Sequence, residues 1–250
     1  MSPYIAPYRT KRQFQFILTR HGESIWNKDN RFTGWSNIPL TQKGENQAGI
    51  MGKVLKNSKV FPHCIFTSDL DRCIETSRII RSTMNADMEI NQTWRLNEKS
   101  YGDCEGVSRD AVAKIMSKDY VRELRRSFFM LPPTLDIKHR YDFSDYQLKT
   151  CDHYYRQNLH VGESKEMVLH RILPYWYETV IPTIRNSMCP LIVTHKHGAR
   201  VLLKYLGRLN LYDFDKLDIP NATLYHIKLN NEFLIEDFEN DVNVIDHYGE

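Results

Sequence analysis

An arginine, a histidine and a glycine stand together directly after a hydrophobic run near the start of the chain. They are Arg20, His21 and Gly22, and the run at residues 14–18 has the aromatic and branched side chains of a β-strand. Such a strand would deliver His21 to its C-terminal end, where open α/β sheets build their sites. There the arginine can neutralise an anion, the imidazole can attack it, and the glycine lets backbone N–H groups approach it closely. These residue types indicate phosphoryl transfer.

The residues that follow, together with several later blocks, form a longer pattern. The opening reads RHGESIWNKDNRFTGWSNIPLTQKG, and the later blocks are TSDLDR at 67–72, WRLNEKSYGD at 94–103, RRSF at 125–128, LPYW at 173–176 and VTH at 193–195. From about residue 14 to about residue 230, this pattern resembles the cofactor-dependent phosphoglycerate mutases, a branch of the histidine phosphatase superfamily. Several independent blocks in one order carry the resemblance, whereas the opening tripeptide alone would not.

The resemblance implies catalytic roles for five residues. His21 would be the nucleophile, and a surface histidine is a poor alternative because the blocks converge on it. Glu98 would be the general acid and base that moves a proton at the oxygen that gains or loses phosphate. Arg20, Arg72 and His195 would surround the transferring phosphoryl group and stabilise its charge.

The resemblance also implies a substrate shell, whose basic members would bind a carboxylate and a distal phosphate. The shell residues are Ser24, Asn27, Thr33, Gly34, Lys99, Tyr101, Arg109, Arg125, Arg126, Lys196 and His197. On general grounds an adjacent arginine pair is more often a solvated helix face. Spacing alone likewise allows Glu98 to be a solvated glutamate, so these assignments rest on the resemblance.

The chain departs from the family pattern after both Glu98 and the second histidine. Lys99 stands where the family has arginine, and lysine lacks the bidentate fork of a guanidinium. Lys196 and His197 replace the family's glycine and asparagine. An alternative alignment would make His197 the catalytic residue, but the gap-free alignment that selects His195 also keeps the following helix on the pattern. The H-x-H spacing also allows zinc, although no carboxylate or cysteine cluster stands nearby in sequence.

Two further departures lie toward the C-terminus. Asn221 and Ala222 stand where the family usually has threonine and glycine after a proline. The segment 236–250 is acidic, whereas the family often has a flexible basic tail over its site. A missing lid would admit water to the phosphohistidine, and water would convert a mutase toward a phosphatase.

The activity that the resemblance implies is interconversion of 3-phosphoglycerate and 2-phosphoglycerate, a step of glycolysis and gluconeogenesis. It would proceed through a phosphohistidine primed by 2,3-bisphosphoglycerate, without a metal. Two alternatives stay open: a histidine phosphatase that hydrolyses a small phosphomonoester, and a catalytically silent relative that binds ligand. The intact set of catalytic residue types argues against the silent relative.

Composition restricts the classes of protein and partner. With 250 residues, 41% hydrophobic and 26% charged, the chain is long enough for one sizeable α/β domain of a soluble protein. The net charge of +3 is too mild to imply nucleic acid, and no apolar run is long enough to span a membrane. Five scattered cysteines without a signal peptide predict reduced thiols and a cytoplasmic location. The expected partner is a small phosphorylated carboxylic acid, and a homodimer stays open.

Alternating strand and helix patterns predict the fold. Strands are expected at 14–18, 63–67, 191–194 and 223–229, and helices at 41–57, 71–83, 164–179 and 198–206. We expect a three-layer α/β/α architecture with a mostly parallel sheet, as in phosphoglycerate mutases. Residues 1–13 are predicted to be a flexible N-terminal arm, and 14–250 a single domain with a capping insertion at about 103–160. Asn230 and Asn231 predict a hairpin between 223–229 and a strand at 233–235.

Overall fold

A computed structural model describes residues 14–133 and 162–245, which are built around a mixed sheet. Its strands are β1 (Phe14–Arg20), β2 (Cys64–Thr67), β3 (Ile90–Gln92), β4 (Pro190–Thr194), β5 (Leu224–Leu229) and β6 (Val242–Ile245). Their order across the sheet is β3-β2-β4-β1-β5-β6, and the first four run parallel while β5 is antiparallel to β1. The predicted mostly parallel sheet is therefore confirmed. The arm predicted at 1–13 lies outside the described residues.

Helices cover both faces of the sheet. They are α1 (Ile25–Lys28), α2 (Gln42–Asn57), α3 (Asp71–Met84), α4 (Arg109–Met116), α5 (Lys118–Arg126), α6 (Lys165–Tyr175), α7 (Ile181–Arg185), α8 (Lys196–Leu206), α9 (Leu211–Lys216) and α10 (Phe238–Asp241). A π-helical turn, Trp176–Val180, joins α6 to α7. The Thr41 and Ser164 side chains cap α2 and α6, as the sequence predicts, by accepting backbone N–H groups that the first helical turn leaves unpaired.

Side chains of β1 point alternately to two hydrophobic clusters, one on each face of the sheet. Phe16 and Leu18 belong to the cluster that includes Trp176 of the π-helical turn. Ile17 belongs to the opposite cluster, with Met51 of α2 and other residues of α2 and α3. Burial of each such side chain contributes about 1.5–3 kcal/mol. These two clusters make the protein a three-layer α/β/α structure.

The parallel strands bring the catalytic candidates to one edge of the sheet. Arg20 at the end of β1 is in register with Thr194 at the end of β4. The next residue on each strand is therefore a histidine, His21 and His195, at neighbouring positions. The loop after β2 leads to Arg72 at the same edge.

Two local predictions are wrong. Helix α8 begins at Lys196 rather than at residue 198, because the His195 carbonyl already accepts the first helical N–H group. Residues 233–235 form no strand: the Asn230 side chain accepts N–H groups of the following residues and closes a tight turn, in which Phe233 has a φ of 62°. The partner of β5 is β6 instead.

Part of the predicted capping insertion is described. Its helices α4 and α5 pack around a third hydrophobic cluster that includes Phe32, Tyr101, Val112 and Leu124. Residues 134–160 lie outside the described residues, so the extent of the insertion stays a prediction. Within the described part of the chain, no helix is both long enough and apolar enough to cross a membrane.

A buried ion pair supports the loop that carries Glu98. Arg171 of α6 donates from Nε to Glu163 Oε1 at 2.7 Å, with the side chains 0% and 3% exposed. Its other guanidinium N–H groups donate to the carbonyl oxygens of Arg95, Asn97 and Glu98 at 2.7–2.9 Å. One side chain thus holds three carbonyl groups between residues 95 and 98 in place.

Replacing Arg171 by methionine should lower the free energy of unfolding by about 3–5 kcal/mol, because Glu163 would stay buried without its charge partner. Urea denaturation measures the loss. The matched control is Arg208→Met, which removes the exposed pair with Glu232 and should cost less than about 1 kcal/mol. Equal losses in the two variants would contradict the supporting role of the buried pair.

Candidate active site

His21 is held in the form that a nucleophile requires. It is 2% exposed, and its Nδ1 lies 2.6 Å from the carbonyl oxygen of Gly22. A carbonyl only accepts hydrogen bonds, so Nδ1 carries the proton and Nε2 keeps its lone pair. Burial, reinforced by Arg72 and Arg20, lowers the pKa of His21 well below 6.5. The imidazole is therefore neutral at physiological pH and able to attack phosphorus.

Asn221 anchors the backbone around the nucleophile. Its Nδ2 lies 2.9 Å from the His21 carbonyl oxygen, 3.3 Å from that of Gly22 and 3.2 Å from Asn27 Oδ1. A Cβ atom on Gly22 would lie 2.3 Å from the carbonyl oxygen of Gly44, so the loop needs glycine for close backbone packing. Asn221 replaces a residue of the family pattern. The departure is visible in the sequence, but no motif there assigns the asparagine to the site.

His195 faces His21, with 5.0 Å between the two ring centroids. Its Nε2 lies 2.8 Å from Ser68 Oγ and 3.3 Å from Cys73 Sγ, two contacts that the sequence analysis missed. Burial lowers the pKa of His195 well below 6.5, and Arg72 and His21 lower it further. Burial raises the pKa of Cys73 to about 12, so this neighbour remains a thiol. Both imidazoles are therefore neutral, and cationic charge at the site comes from arginine.

Two buried arginines supply that charge. Arg20 donates from Nη1 to the Ile219 carbonyl at 2.9 Å, and Arg72 donates to the carbonyls of Ser36 and Gly34 at 2.9 and 2.7 Å. Burial lowers the pKa of Arg20 to about 10 and also lowers that of Arg72, which leaves both cationic at neutral pH. The Nε atoms of both are buried and have no hydrogen-bond partner among the described residues. Fixed guanidinium groups with an unused donor fit a phosphoryl anion.

The two carboxylate oxygens of Glu98 differ in their contacts. Its Oε1 accepts the N–H groups of Lys99 at 2.8 Å and His197 at 3.2 Å. Its Oε2 has no hydrogen bond to the part of the chain that the structure describes, and the residue is 8% exposed. The backbone of Glu98 is held by a side chain distant in sequence, because Trp35 Nε1 donates to the Glu98 carbonyl oxygen at 2.7 Å. A proton on this group would therefore reside on Oε2.

The two residues that replace the family's glycine and asparagine have different partners. Tyr101 Oη lies 2.7 Å from His197 Nε2, while His197 Nδ1 is buried without a partner among the described residues. Burial lowers the pKa of His197 well below 6.5, and Lys165 adds to the effect. Lys196 instead forms an ion pair with Asp218. His197 thus belongs to the wall of the site beside Tyr101, and Lys196 to its rim.

The predicted basic shell residues are spread along the rim. Arg109 donates to Asn30 Oδ1 at 2.9 Å, and its Nε is buried without a partner in the described ranges. Arg125 lies close enough to lower the pKa of Arg109, after the larger effect of burial. Arg126 pairs with Asp215 at 3.4 Å. Arg109 and Arg125 therefore form one cationic group, while Arg126 is engaged to one side of it.

Other predicted shell residues serve the backbone. Lys99 donates to the carbonyl oxygens of Leu124 and Met130 at 3.4 Å, and burial lowers its pKa to about 8. Its long side chain thus holds the end of α5, and its predicted contact with a ligand stays a prediction. Ser24 caps α1, and the Thr33 carbonyl accepts a hydrogen bond within the next turn. These residues shape the loops that hold the catalytic groups.

Glu105 is a buried carboxylate that the sequence analysis missed. It accepts hydrogen bonds at 2.9–3.2 Å from the N–H groups of Trp35, Ser36 and Tyr101 and from the hydroxyls of Ser36 and Ser100. Gly34 has a φ of +51°, and a Cβ there would lie 1.9 Å from Glu105 Oε1. Glu105 therefore holds the loop whose carbonyls accept the Arg72 guanidinium. A single acidic residue without periodicity gives no sequence signal for this role.

The chain is similar to known proteins along most of its length. The model of the histidine phosphatase superfamily (branch 1) matches residues 16–145 and 134–241. The 2,3-bisphosphoglycerate-dependent phosphoglycerate mutase of Buchnera aphidicola subsp. Schizaphis graminum is 35% identical over 88% of this chain and 95% of its own. The enzyme of the same name from Blochmanniella pennsylvanica is 33% identical over 94% and 97%.

A solved structure shares the fold. A mycobacterial glucosyl-3-phosphoglycerate phosphatase matches with a TM-score of 0.68 at 20% identity, over 93% of this chain and 96% of that one. In the described ranges no cluster of three or more histidine, cysteine, aspartate or glutamate residues could hold a metal ion.

The three buried histidines of the site should make stability depend on pH. His21, His195 and His197 are neutral when folded, whereas the unfolded chain protonates them near pH 6.5. The free energy of unfolding should therefore fall as pH drops below 6.5, by about 1.4 kcal/mol per pH unit for each histidine. Urea titrations across this range measure the slope. In His197→Asn the slope should decrease by one histidine's share, and an unchanged slope would contradict the assignment.

Replacing Glu105 by glutamine should weaken binding of orthovanadate, a mimic of the transferring phosphoryl group. The amide places N–H donors against backbone donors, so the loop at 34–36 moves and Arg72 loses its carbonyl partners. The dissociation constant should rise about 10- to 100-fold, the range expected when one hydrogen bond to a charged group is lost. Titration calorimetry measures it. Glu123→Gln, on the exposed side of α5, is the matched control, and equal affinities in the two variants would rule out the role of Glu105.

Proposed function

This chain belongs to the histidine phosphatase superfamily, within the family of 2,3-bisphosphoglycerate-dependent phosphoglycerate mutases, and we propose that it interconverts 3-phosphoglycerate and 2-phosphoglycerate. One observation carries the proposal: the hydrogen bond from His21 Nδ1–H to the Gly22 carbonyl leaves Nε2 as a nucleophile. His195 and two arginines with unused donors surround it. This set is suited to a phosphoryl group that is attacked, held and passed on.

The first half-reaction transfers phosphate to the protein. His21 Nε2 attacks phosphorus, so that an N–P bond forms as the P–O bond to the leaving oxygen breaks. Glu98 gives its proton to that oxygen from Oε2, since Oε1 is occupied by two N–H groups. Arg20 and Arg72 offset the negative charge on the equatorial oxygens. His195, neutral and held by its buried neighbours, donates a hydrogen bond to the same group.

The second half-reaction reverses these steps on a different hydroxyl. Glu98, now a carboxylate, accepts the proton of the attacking hydroxyl, and the phosphoryl group leaves His21 Nε2 for that oxygen. The imidazole regains its lone pair while Nδ1 keeps its proton on the Gly22 carbonyl. Because the products differ only in which hydroxyl carries phosphate, one acid–base group serves both directions.

A second anionic group of the substrate would bind at the cationic rim. After the larger effect of burial, Arg125 lowers the pKa of Arg109, and Arg109 in turn lowers the pKa of Arg20. A carboxylate or second phosphate placed among these cations would relieve their repulsion. Tyr101 binds His197, whose backbone N–H donates to Glu98, so it lies in the wall next to the acid–base group. These residues support a phosphorylated carboxylic acid as the substrate.

The residues present also fit 2,3-bisphosphoglycerate as the priming donor. It needs an anion site beside the nucleophile and another some distance away. The unused Nε donors of Arg20 and Arg72 meet the first requirement, and that of Arg109 meets the second. When bound, this compound supplies the phosphoryl group that loads His21.

Hydrolysis of a phosphomonoester through the same phosphohistidine is the second candidate. One observation favours it: Lys196 and His197 replace the family's glycine and asparagine and bind Asp218 and Tyr101. The ligand contacts that the family makes there are therefore changed. If the acceptor hydroxyl is held less well, water competes for the phosphoryl group.

Incubation with 3-phosphoglycerate, with and without catalytic 2,3-bisphosphoglycerate, tests the proposal. We expect 2-phosphoglycerate to form only when the bisphosphate is present, with little free phosphate. Glu98→Gln should lower turnover by about 100- to 10,000-fold, the usual contribution of general acid–base catalysis. Product analysis and a phosphate assay measure both outcomes.

His21→Ala is the control, since it should abolish product formation and any phosphate release. Free phosphate without 2-phosphoglycerate would assign the protein as a phosphatase. If wild-type protein gave neither product but bound orthovanadate, the mutase proposal would be rejected in favour of a binding role.

A further inference from the structure

A basic groove opens beside the active site, between α5 and the segment from α8 to the end of α9. Its volume is about 420 Å³, and its lining contains seven basic and two acidic side chains. Both acids already have cationic partners, Asp215 with Arg126 and Asp218 with Lys196. The groove therefore keeps a large excess of positive charge, which favours an anionic ligand.

The α5 wall of the groove carries a row of cations. Lys118, Arg122 and Arg125 stand at i, i+4 and i+7 on one helix face, a span of about 10 Å at 1.5 Å per residue. Neither Lys118 nor Arg125 has an ion-pair partner among the described residues. Arg122 has the exposed Asp119 at 3.0 Å, a contact that contributes little in water. A row of this length matches a chain of several anions better than a single phosphate.

The opposite wall contains a buried arginine that also has an unused hydrogen-bond donor. Arg200 is 2% exposed and donates to the carbonyls of Phe214 at 2.6 Å and Arg125 at 3.3 Å. Its Nε is buried and has no partner in residues 14–133 and 162–245. Lys216 completes this wall, with its ammonium 3.7 Å from the ring centroid of Tyr212. Cations thus face one another across the groove.

The inner end of the groove adjoins the catalytic centre. Lys196 directly follows His195, and its partner Asp218 precedes Ile219, whose carbonyl is held by Arg20. Lys118 and Lys216 belong to the lining but to none of the contacts around His21. The groove therefore provides cations beyond those that a phosphoglycerate needs.

We propose that this groove is a binding site for condensed phosphates, ligands with two or more phosphoryl groups in a row. The chain of anions lies between α5 and the α8–α9 wall and reaches Lys196, where it competes with Asp218 for the ammonium group. Two sources share this chemistry: the polyphosphorylated tail of a substrate whose other end enters the catalytic centre, and a separate inorganic polyphosphate bound beside it. The site goes beyond the proposed mutase activity.

Titration calorimetry on the full chain with orthophosphate, pyrophosphate and tripolyphosphate tests the site. The His21→Ala variant is used beside the wild type, so that the result does not depend on turnover. We expect tripolyphosphate to bind at least about 10-fold more tightly than orthophosphate, because additional charge-assisted hydrogen bonds form along the groove. The double variant Lys118→Glu/Arg122→Glu should lose that advantage.

The matched control is the double variant Lys53→Glu/Lys56→Glu. It makes the same charge change on an exposed face of α2, far from α5 in sequence. If it weakens tripolyphosphate binding as much as the groove variant, the effect is one of net charge and the proposal is overturned. Equal affinities for the three phosphates in wild-type protein also overturn it. Should the groove variant fail to fold by circular dichroism, Lys216→Glu tests the opposite wall with the same expected loss.

Competition with orthovanadate in the wild type then separates the two sources. If tripolyphosphate binds in the groove and displaces vanadate, the groove is the site of a substrate's tail. Simultaneous binding of both anions identifies a separate ligand site. Either result supports the groove as long as the Lys118→Glu/Arg122→Glu variant loses affinity, and neither depends on mutase activity.

Discussion

The hydrogen bond between His21 Nδ1 and the Gly22 carbonyl is the interaction on which the rest of the site depends. It selects the tautomer, and so leaves on Nε2 the lone pair that the proposed mechanism uses. Glycine at position 22 lets this segment pack directly against the backbone of Gly44, where a Cβ atom would lie 2.3 Å from the Gly44 carbonyl oxygen. Asn221 Nδ2 also donates to the Gly22 carbonyl oxygen. Residues from three distant parts of the chain thus cooperate to set the position of one proton.

Most of the buried cations are held by carbonyl oxygens and not by carboxylates, which is a second constraint on the structure. Arg20, Arg72 and Arg200 each donate to backbone carbonyls, and Lys165 donates to the Ser127 carbonyl at 2.5 Å. Burial lowers the pKa of Lys165 to about 6, since a carbonyl only partly replaces water. Dipoles fix the three arginines without cancelling their charge, whereas Lys165 is largely neutral at pH 7. The positive potential therefore remains available to a bound anion, at the catalytic centre and along the groove.

The ion pair of Arg171 with Glu163 is the exception, and it serves a different purpose. Here both charges are buried and satisfied, and the pair supports the loop that carries Glu98. Glu105 acts in a similar way on the loop that holds Arg72. Buried carboxylates, satisfied by an arginine or by N–H and O–H donors, thus shape the protein around the site, while cations without a carboxylate partner remain where a ligand can meet them.

The sequence by itself determined the strand and helix order, the parallel sheet, the family and the residue types of the catalytic centre. These follow from local patterns: Phe14 to Leu18 alternate, Thr41 and Ser164 cap helices, and the blocks at His21 and His195 stand at strand ends. Only the tertiary structure decided what the polar residues contact. The contacts of Glu105, Ser68 and Cys73 are with residues far away in sequence, and Lys99 donates to a carbonyl oxygen of α5. No periodicity or spacing in the sequence therefore indicates what these residues do. The physical reason is that burial and hydrogen-bond geometry depend on the packing of the whole chain, whereas propensity and motif are properties of a few adjacent residues.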